Sequence, residues 1–245
     1  MPLEETPDDA KRKSLLSELA RGAKETFKNA EQLFLEASLL KDNGMLNRAL
    51  FLHQISMEEC AKVELLGVSA TSLLMGEEVD ATKLAAALAS HKAKNRTNAY
   101  MLEPTEEELA ARKRADWKGL KEAFSKHQDE FHLQSNTAKN ASLYVDFRDG
   151  KFVTPSERIT VEMVSKIAAT NESFLGYMYP KLDMLLKWKN DIDGIGVTLI
   201  QFKSRVEQLK SELPDDPEKA MEILMQAMLE GARGKRKGGA SEDAG

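Results

Sequence analysis

The hydrophobic pattern between residues 45 and 75 is that of a core-facing helix that carries polar groups in its apolar stripe. Positions spaced alternately by four and three residues form the stripe, which reads Met45, Ala49, Leu52, Ser56, Glu59, Val63, Leu66, Ala70 and Leu73. This period is typical of an amphipathic helix. A carboxylate at Glu59 costs several kcal/mol on a buried face unless it is paired or hydrogen-bonded. The stripe therefore predicts either an internal ion pair or one wall of a site.

Four further segments repeat the helical period. They run approximately over residues 14–42, 80–102, 105–131 and 160–185. Asn43 and Gly44 can end the first helix, and so short a connection predicts an antiparallel pair with the helix that follows. Thr105 and Glu108 have the spacing of a capping box, which predicts the start of a helix. Pro180 is expected to kink the last of these helices.

One segment departs from the helical period. Leu143–Thr154 contains two short β-prone runs on either side of Asp149-Gly150, a dipeptide that favours a tight hairpin turn. An isolated two-stranded hairpin is marginal in water. We therefore expect this hairpin to pack on the helices.

These elements predict an all-α fold, a bundle of long antiparallel helices with a small β-hairpin insertion. Asp193–Gly196 is expected to interrupt the chain, and Asp216 to cap a short last helix that ends near Glu230. The expected parts are a flexible lead over 1–12, a helical domain over 13–190 with the hairpin at about 143–154, a helical extension over 191–230 and a disordered tail over 231–245.

Composition narrows the class of protein. With 42% hydrophobic and 31% charged residues, the 245-residue chain has the balance of a soluble globular protein. A net charge of −5 gives no overall attraction to nucleic acid, although a local basic groove stays open. One cysteine, Cys60, excludes an internal disulfide and fits a reducing compartment. No apolar run approaches a membrane span, so we expect a cytoplasmic protein without a membrane partner.

Three separated blocks of the sequence form a recognisable combination, namely SMEECAKVELL at Ser56–Leu66, HKAK at His91–Lys94 and KNASLYVDFRDGKFVTP at Lys139–Pro155. Together they resemble the AbiV-type abortive-infection family of HEPN-like helical proteins. They occur in the same order as in the family, and the resemblance extends over about Lys24 to Leu185. It implies a HEPN-like helical bundle, commonly dimeric, and a role in bacterial defence against phage by shutting down the host cell.

The resemblance also implies a kind of chemistry, since many HEPN proteins are ribonucleases that need no metal. Such an enzyme requires a base, an acid and a cation near the phosphate, which histidine and lysine or arginine supply. The expected partners are an RNA substrate, a second copy of the chain, and a phage-encoded activator or an antitoxin protein. No cofactor is expected. The alternative is a helical module without enzymatic activity that binds RNA, a nucleotide or a protein.

Two histidines are the candidate catalytic groups. Arg48 and His53 have four residues between them, within the four to six of the HEPN arginine–histidine signature, although Ala49 stands where the family usually has a polar residue. His91 and Lys94 lie one helical turn apart, so they project from one side of a helix. The alternative interpretation makes His53 a satisfied semi-buried residue and Arg48 a surface charge.

The acidic pair Glu58–Glu59 has two interpretations. Glu58 and Lys62 can form an ordinary pair four residues apart on a helix surface. Glu59 lies on the buried stripe, where it is expected to bind a cation of a neighbouring helix or to take part in catalysis. The candidates for that cation are Lys94, Arg96 and Lys139.

The hairpin contributes two further candidate binding residues. Tyr144 and Asp146 alternate to the same side of the first strand, where they can join Lys139 and His91 in one cleft. The alternative is a surface hairpin whose tyrosine packs on the bundle.

A carboxylate-bridged metal centre is not expected. Such a centre in a helical bundle uses Glu-x-x-His on two helices, and this motif is missing from the sequence. Asp129 with His132 and His127 with Glu130 come closest.

Overall fold

The structure is a computed structural model that describes residues 7–213, 219–220 and 223–224. Within this part of the chain the only sheet is a two-stranded hairpin and the rest is predominantly helical, which confirms the predicted fold class. The chain divides into two units, residues 1–192 and 193–245, which we describe separately. None of the described helices is long and apolar enough to cross a membrane.

The first two helices form the predicted pair. They are α1, Pro7–Asp42, and α2, Leu46–Leu74. The connection uses Gly44 at a φ of 74°, which glycine adopts without steric cost. Small residues at the contact let the helices approach closely, since the fully buried side chains include Ala20, Ala23, Ala30, Ala37 and Ala49. Helix α2 also packs on three helices that follow later in the chain, so it is the central helix of the bundle.

The first helix starts earlier than predicted, at Pro7 rather than near Ser14. Arg12 explains the difference, because its guanidinium donates to carbonyl oxygens at the end of α2. Its Nε lies 2.9 Å from Leu73 O and its Nη2 lies 2.6 Å from Leu74 O. Carbonyls at a helix end lack a partner within the helix, although Leu73 O also accepts from the Gly76 N–H. The predicted flexible lead was therefore wrong for residues 7–12, and residues 1–6 lie outside the described part.

The predicted third helix is in fact two helices, α3, Ala81–Ala89, and α4, His91–Asn98, and a short 3₁₀ turn follows α4. Asp80 caps α3 as predicted. Ser90 separates the two helices, with an extended backbone and a hydroxyl that accepts from the Ala93 N–H. Serine favours such a cap position over a helix interior. Hydrophobic spacing alone does not reveal this break.

The predicted fourth helix is also divided. The capping box at Thr105 is present and starts α5, Glu106–Lys113. Ala115 then has a φ of 52°, which no helix interior accommodates, and Asp116 caps α6, Trp117–Leu143. The prediction of one helix was therefore wrong, although both caps have the residue types that favour them.

The hairpin prediction is confirmed. Strands β1, Asp146–Arg148, and β2, Lys151–Val153, are antiparallel. Asp149 and Gly150 connect them with φ angles of 51° and 79°. Positive φ at both central residues is the requirement of a type I′ turn, which explains the Asp-Gly pair.

Two helices complete the first unit. They are α7, Pro155–Arg158, and α8, Val161–Trp188, which contains Pro180 within a single span. Thr160 caps α8 through its hydroxyl, which accepts from the Met163 N–H. The longest buried side chains of α8, Phe174 and Met178, belong to the core.

The second unit contains α9, Ile192–Glu212. This helix includes Gly194 and Gly196, so the predicted break at Asp193–Gly196 was wrong; helical structure is interrupted just before it, at residues 189–191. Leu209 packs with Ala220 and Leu224 in this unit. The predicted cap at Asp216 and the tail over 231–245 lie outside the described residues.

Replacing Arg12 by alanine is expected to lower the free energy of unfolding by about 1–3 kcal/mol, because two carbonyls at the end of α2 lose charged donors. Urea unfolding followed by circular dichroism measures this difference. Lys11→Ala, at an exposed neighbouring position, is the matched control and should change stability little. Equal effects of the two substitutions would contradict the capping role of Arg12.

Candidate functional site

A buried carboxylate connects three helices of the bundle. Glu58 on α2 has a side chain that is only 3% exposed. Its Oε2 lies 2.6 Å from His91 Nδ1 and 2.8 Å from Lys94 Nζ, both on α4. Its Oε1 accepts a hydrogen bond from Lys139 Nζ of α6, which also lies 3.3 Å from His91 Nδ1. We call these four residues the Glu58 cluster.

The Glu58 cluster contains more positive than negative charge. Lys94 and Lys139 are both buried, and they share the single carboxylate of Glu58. Burial by itself would raise the pKa of Glu58, but hydrogen bonds from Lys139, Lys94 and His91 outweigh it and hold this pKa below its ordinary value. Glu58 is therefore ionised at neutral pH, and one ammonium charge is left uncompensated. Such a surplus attracts an anion.

His91 is the member of the cluster that reaches solvent. Its imidazole side chain is 57% exposed. Because the carboxylate of Glu58 can only accept, the neutral ring donates from Nδ1 and keeps its lone pair at Nε2. A histidine held in this way can take a proton from a hydroxyl group, and the buried carboxylate stabilises the imidazolium that results. The arrangement is suited to general-base chemistry.

The local sequence explains how these groups meet. Ser90 starts α4, so that His91 and Lys94 stand one turn apart and face the same way. Lys139 lies in the last turns of α6, and its long side chain reaches the carboxylate. The structure thus brings together Glu58, Lys139 and the predicted pair His91–Lys94.

Glu59 does not have the predicted role in this network. Its Oε1 lies 2.5 Å from Lys62 Nζ, three residues further along α2. The expected pairing of Glu58 with Lys62 was therefore wrong, and so was the expected interhelical cation for Glu59. One residue corresponds to a rotation of about 100° around a helix, and this rotation directs Glu58 toward α4 and α6.

His53 lies in a second, closed polar network. Its side chain is fully buried, Nδ1 lies 3.2 Å from Asn171 Nδ2, and Nε2 has no partner among the described residues. Ser56 completes the network, since its hydroxyl donates to Ala30 O at 2.7 Å and lies 3.1 Å from Asn171 Oδ1. Burial, with a smaller contribution from Lys41, lowers the pKa of His53 to about 4. This histidine is neutral and enclosed.

The predicted pair of Arg48 and His53 does not form a solvent-facing site. Arg48 is exposed, whereas His53 is inaccessible to solvent. Their four-residue separation fits the family signature in sequence, but the environments of the two side chains are opposite. The interpretation of His53 as a structural residue agrees with this geometry.

The two candidate residues of the hairpin segment have surroundings of their own. Asp146 binds Arg158 at 2.5 Å and Arg148 at 3.3 Å. Tyr144 is the C-cap of α6 and is 59% exposed. The carboxylate of Asp146 is therefore engaged by two arginines rather than by Lys139 or His91, and a joint cleft with Tyr144 stays a prediction.

Sequence reasoning missed a further acid–histidine pair. Glu108 Oε2 lies 2.9 Å from His127 Nδ1 and also accepts from Thr105, its capping partner. Burial alone would raise the pKa of Glu108, but the hydrogen bonds from Thr105 and His127 hold it below its ordinary value. The capping box indicated the helix start, but nothing in its spacing indicated the second partner. In the part of the chain described here, no group of three His, Cys, Asp or Glu residues is arranged to hold a metal ion.

Comparison with known proteins places this architecture in a family. The family model described as AbiV, of the HEPN type, matches residues 18–176. The chain is also similar to the uncharacterized protein y4gJ of Sinorhizobium fredii (strain NBRC 101917 / NGR234), with 43% identity over 123 residues. These residues are 50% of this chain and 64% of that relative, so the match spans less than two-thirds of the relative's length. No solved structure matches the chain.

The matched region is more than half of the chain and contains all four residues of the Glu58 cluster. This chain therefore belongs to the AbiV family of HEPN proteins, which confirms the resemblance found in the sequence. Membership of this family suggests a function of the abortive-infection, HEPN type.

Replacing Glu58 by glutamine is expected to lower the free energy of unfolding by about 3–5 kcal/mol, because two buried ammonium groups lose their counter-charge. Urea unfolding at neutral pH measures the loss. Glu59→Gln is the matched control, since among the described residues Glu59 pairs with its helical neighbour Lys62 alone, and it should cost less than about 1 kcal/mol. A Glu58→Gln protein as stable as the control would show that the cluster is not a structural requirement.

His53 should make the folded protein sensitive to mild acid. Its pKa is about 4 in the folded chain against 6.5 as the ordinary value, so the unfolded state binds more protons between these pH values. From about pH 7.5 to about pH 5, this residue alone should reduce stability by about 2 kcal/mol. Unfolding of wild type and His53→Gln over this range measures the difference. An identical pH dependence in both proteins would contradict a buried, neutral His53.

Proposed function

We propose that this chain is a phage-defence effector that arrests the growth of the host cell by cleaving RNA, with His91 as the general base. One observation carries the proposal: a buried carboxylate fixes a solvent-facing imidazole in a chain of the AbiV family. The surplus positive charge of Lys94 and Lys139 supports a substrate that carries phosphate.

The proposed reaction is an internal transesterification of the RNA backbone. His91 Nε2 removes the proton of a ribose 2′-hydroxyl, whose oxygen then attacks the adjacent phosphorus. The bond from phosphorus to the 5′-oxygen of the next nucleotide breaks, and that oxygen takes a proton from solvent. The products are a 2′,3′-cyclic phosphate and a free 5′-hydroxyl. Lys94 and Lys139 stabilise the additional negative charge of the transition state electrostatically.

The proposal includes three partners and a location. RNA is the substrate, and a second copy of the chain forms a homodimer, as the resemblance to HEPN proteins implies. A phage-encoded activator or an antitoxin protein controls the activity, because an enzyme that degrades host RNA must be restrained until infection. The site of action is the cytoplasm, where that RNA is located.

A second candidate function is that of a helical binding module without catalysis. The specific observation in its favour is that Glu58, Lys94 and Lys139 are all buried and that both lysines bind the Glu58 carboxylate. A network of this kind can serve stability and specificity of packing alone. In that case His91 is a surface residue that merely caps the network.

Induced expression in a bacterial host distinguishes the two functions. Wild type should arrest growth and produce RNA fragments with cyclic phosphate ends. His91→Ala should fold, because the ring is half exposed, and should cleave RNA about 100-fold more slowly, which is the typical loss of a general base. Glu59→Gln, outside the cluster, is the control and should behave as wild type. Total RNA and growth are followed over time.

The outcomes separate the hypotheses clearly. Growth arrest by wild type with intact RNA would exclude the ribonuclease and support the binding module. Equal RNA cleavage by wild type and His91→Ala would show that the base is another group. Purified proteins incubated with RNA in the presence of a chelator provide the second measurement, and the proposed chemistry should continue there.

A further inference from the structure

A pocket of about 540 Å³ lies between α2, α6 and α8, and the mechanism proposed for His91 does not use it. Its apolar wall is formed by Leu50, Leu102, Phe131, Ala138, Met163 and Ile167. Charged side chains stand at the rim, where Lys166 and Glu130 are exposed. A mostly apolar pocket of this size with a few polar groups has the character of a small-molecule site.

Two largely buried polar side chains line the pocket. Gln54 is 6% exposed, and its side chain forms part of the lining. Ser135 is 2% exposed, and its hydroxyl has no partner among the described residues. An unsatisfied buried hydroxyl costs about 1–3 kcal/mol. Native structures rarely keep such a group without a ligand or a bound water.

The pocket and the Glu58 cluster occupy neighbouring turns of the same two helices. Gln54 precedes Glu58 by four residues on α2, and Ser135 precedes Lys139 by four residues on α6. Residues with this spacing lie about 6 Å apart on one helix face. The pocket therefore lies about one helical turn from Glu58 on α2 and from Lys139 on α6.

We infer that this pocket binds a nucleobase, with the amide of Gln54 reading the polar edge of the ring. If the nucleobase belongs to the RNA substrate, the inference rests on the proposed function, and the pocket determines which sequences are cleaved. A free nucleotide has the same chemistry and is the second source to test.

The lining fits a flat heterocycle with an attached phosphate. A glutamine amide presents one donor and one acceptor side by side, which matches the paired donor and acceptor on a base edge. The ring of Phe131 on α6 offers a stacking surface, and Met163 and Ile167 of α8 add apolar side chains to the same lining. Lys166, which forms no ion pair with the described residues, provides a positive charge for phosphate, while Glu130 disfavours phosphate on its own side of the rim.

The test compares wild type with Gln54→Leu, which keeps the side-chain size and removes the amide. Cleavage rates are measured on RNA oligonucleotides that differ by one base at each position around the cut. Wild type should prefer one base at a fixed position by about tenfold or more, the value of a good paired contact, and Gln54→Leu should lose that preference. Gln32→Leu, an exposed position on α1, is the matched control.

Stability provides an independent readout. Because leucine places an apolar side chain in a mostly apolar pocket, the Tm of Gln54→Leu should be equal to or higher than that of wild type. Loss of base preference in a protein that is at least as stable cannot result from misfolding. If Gln54→Leu is markedly less stable, the amide has a structural partner and the inference is wrong.

Titration with the four nucleoside monophosphates tests the other source. Binding that Gln54→Leu weakens about tenfold, without any base preference in cleavage, supports a free nucleotide as the ligand. Unchanged base preference together with no Gln54-dependent nucleotide binding overturns the inference, while the proposed ribonuclease stands because RNA is still cleaved. If wild type cleaves no RNA, the proposed function fails, and the titration alone decides what the pocket binds.

Discussion

The carboxylate of Glu58 is the interaction on which the position of the candidate site depends. It is buried between two lysines of different helices, and without it α4 and α6 would place two ammonium groups in one water-poor space. The buried residues of α4 are Lys94, Asn95 and Asn98, and all of them are polar. Charge and hydrogen bonding therefore hold this helix where apolar packing usually does.

Polar anchoring has a consequence for His91. Asn95 lies 3.2 Å from His132 of α6, and Asn98 donates to the Met57 carbonyl of α2. Hydrogen bonds depend on direction far more than apolar contacts do. These bonds therefore fix the rotation of α4 about its axis and its position along that axis. The position of the His91 imidazole, at the first residue of α4, is therefore fixed as well, although more than half of its side chain is exposed. Buried hydrogen bonds of α4 thus determine the position of His91, a candidate base on the surface.

Periodicity predicted the helices that pack by their apolar faces, α1, α2 and α8, and the Asp149-Gly150 dipeptide predicted the hairpin. Periodicity did not predict the breaks at Ser90 and Ala115, because a helix cap involves only one or two residues and leaves the hydrophobic period almost unchanged. The choice of Glu58 over Glu59 was beyond the sequence for another reason. The apolar stripe indicates which face of α2 is buried. Glu58 lies at the border of that face, so its binding partners can be identified only when the positions of the lysines on the other helices are known.

The two histidines of α2 and α4 show why spacing alone is a weak guide to chemistry. His53 has the separation from Arg48 that the family signature requires, yet burial lowers its pKa to about 4 and no solvent reaches its ring. His91 has no such signature, but its ring combines solvent access with a fixed tautomer. A general base must meet its substrate, so access outweighs sequence pattern. The same reasoning applies to Gln54, which is available to a ligand because its side chain lines a pocket.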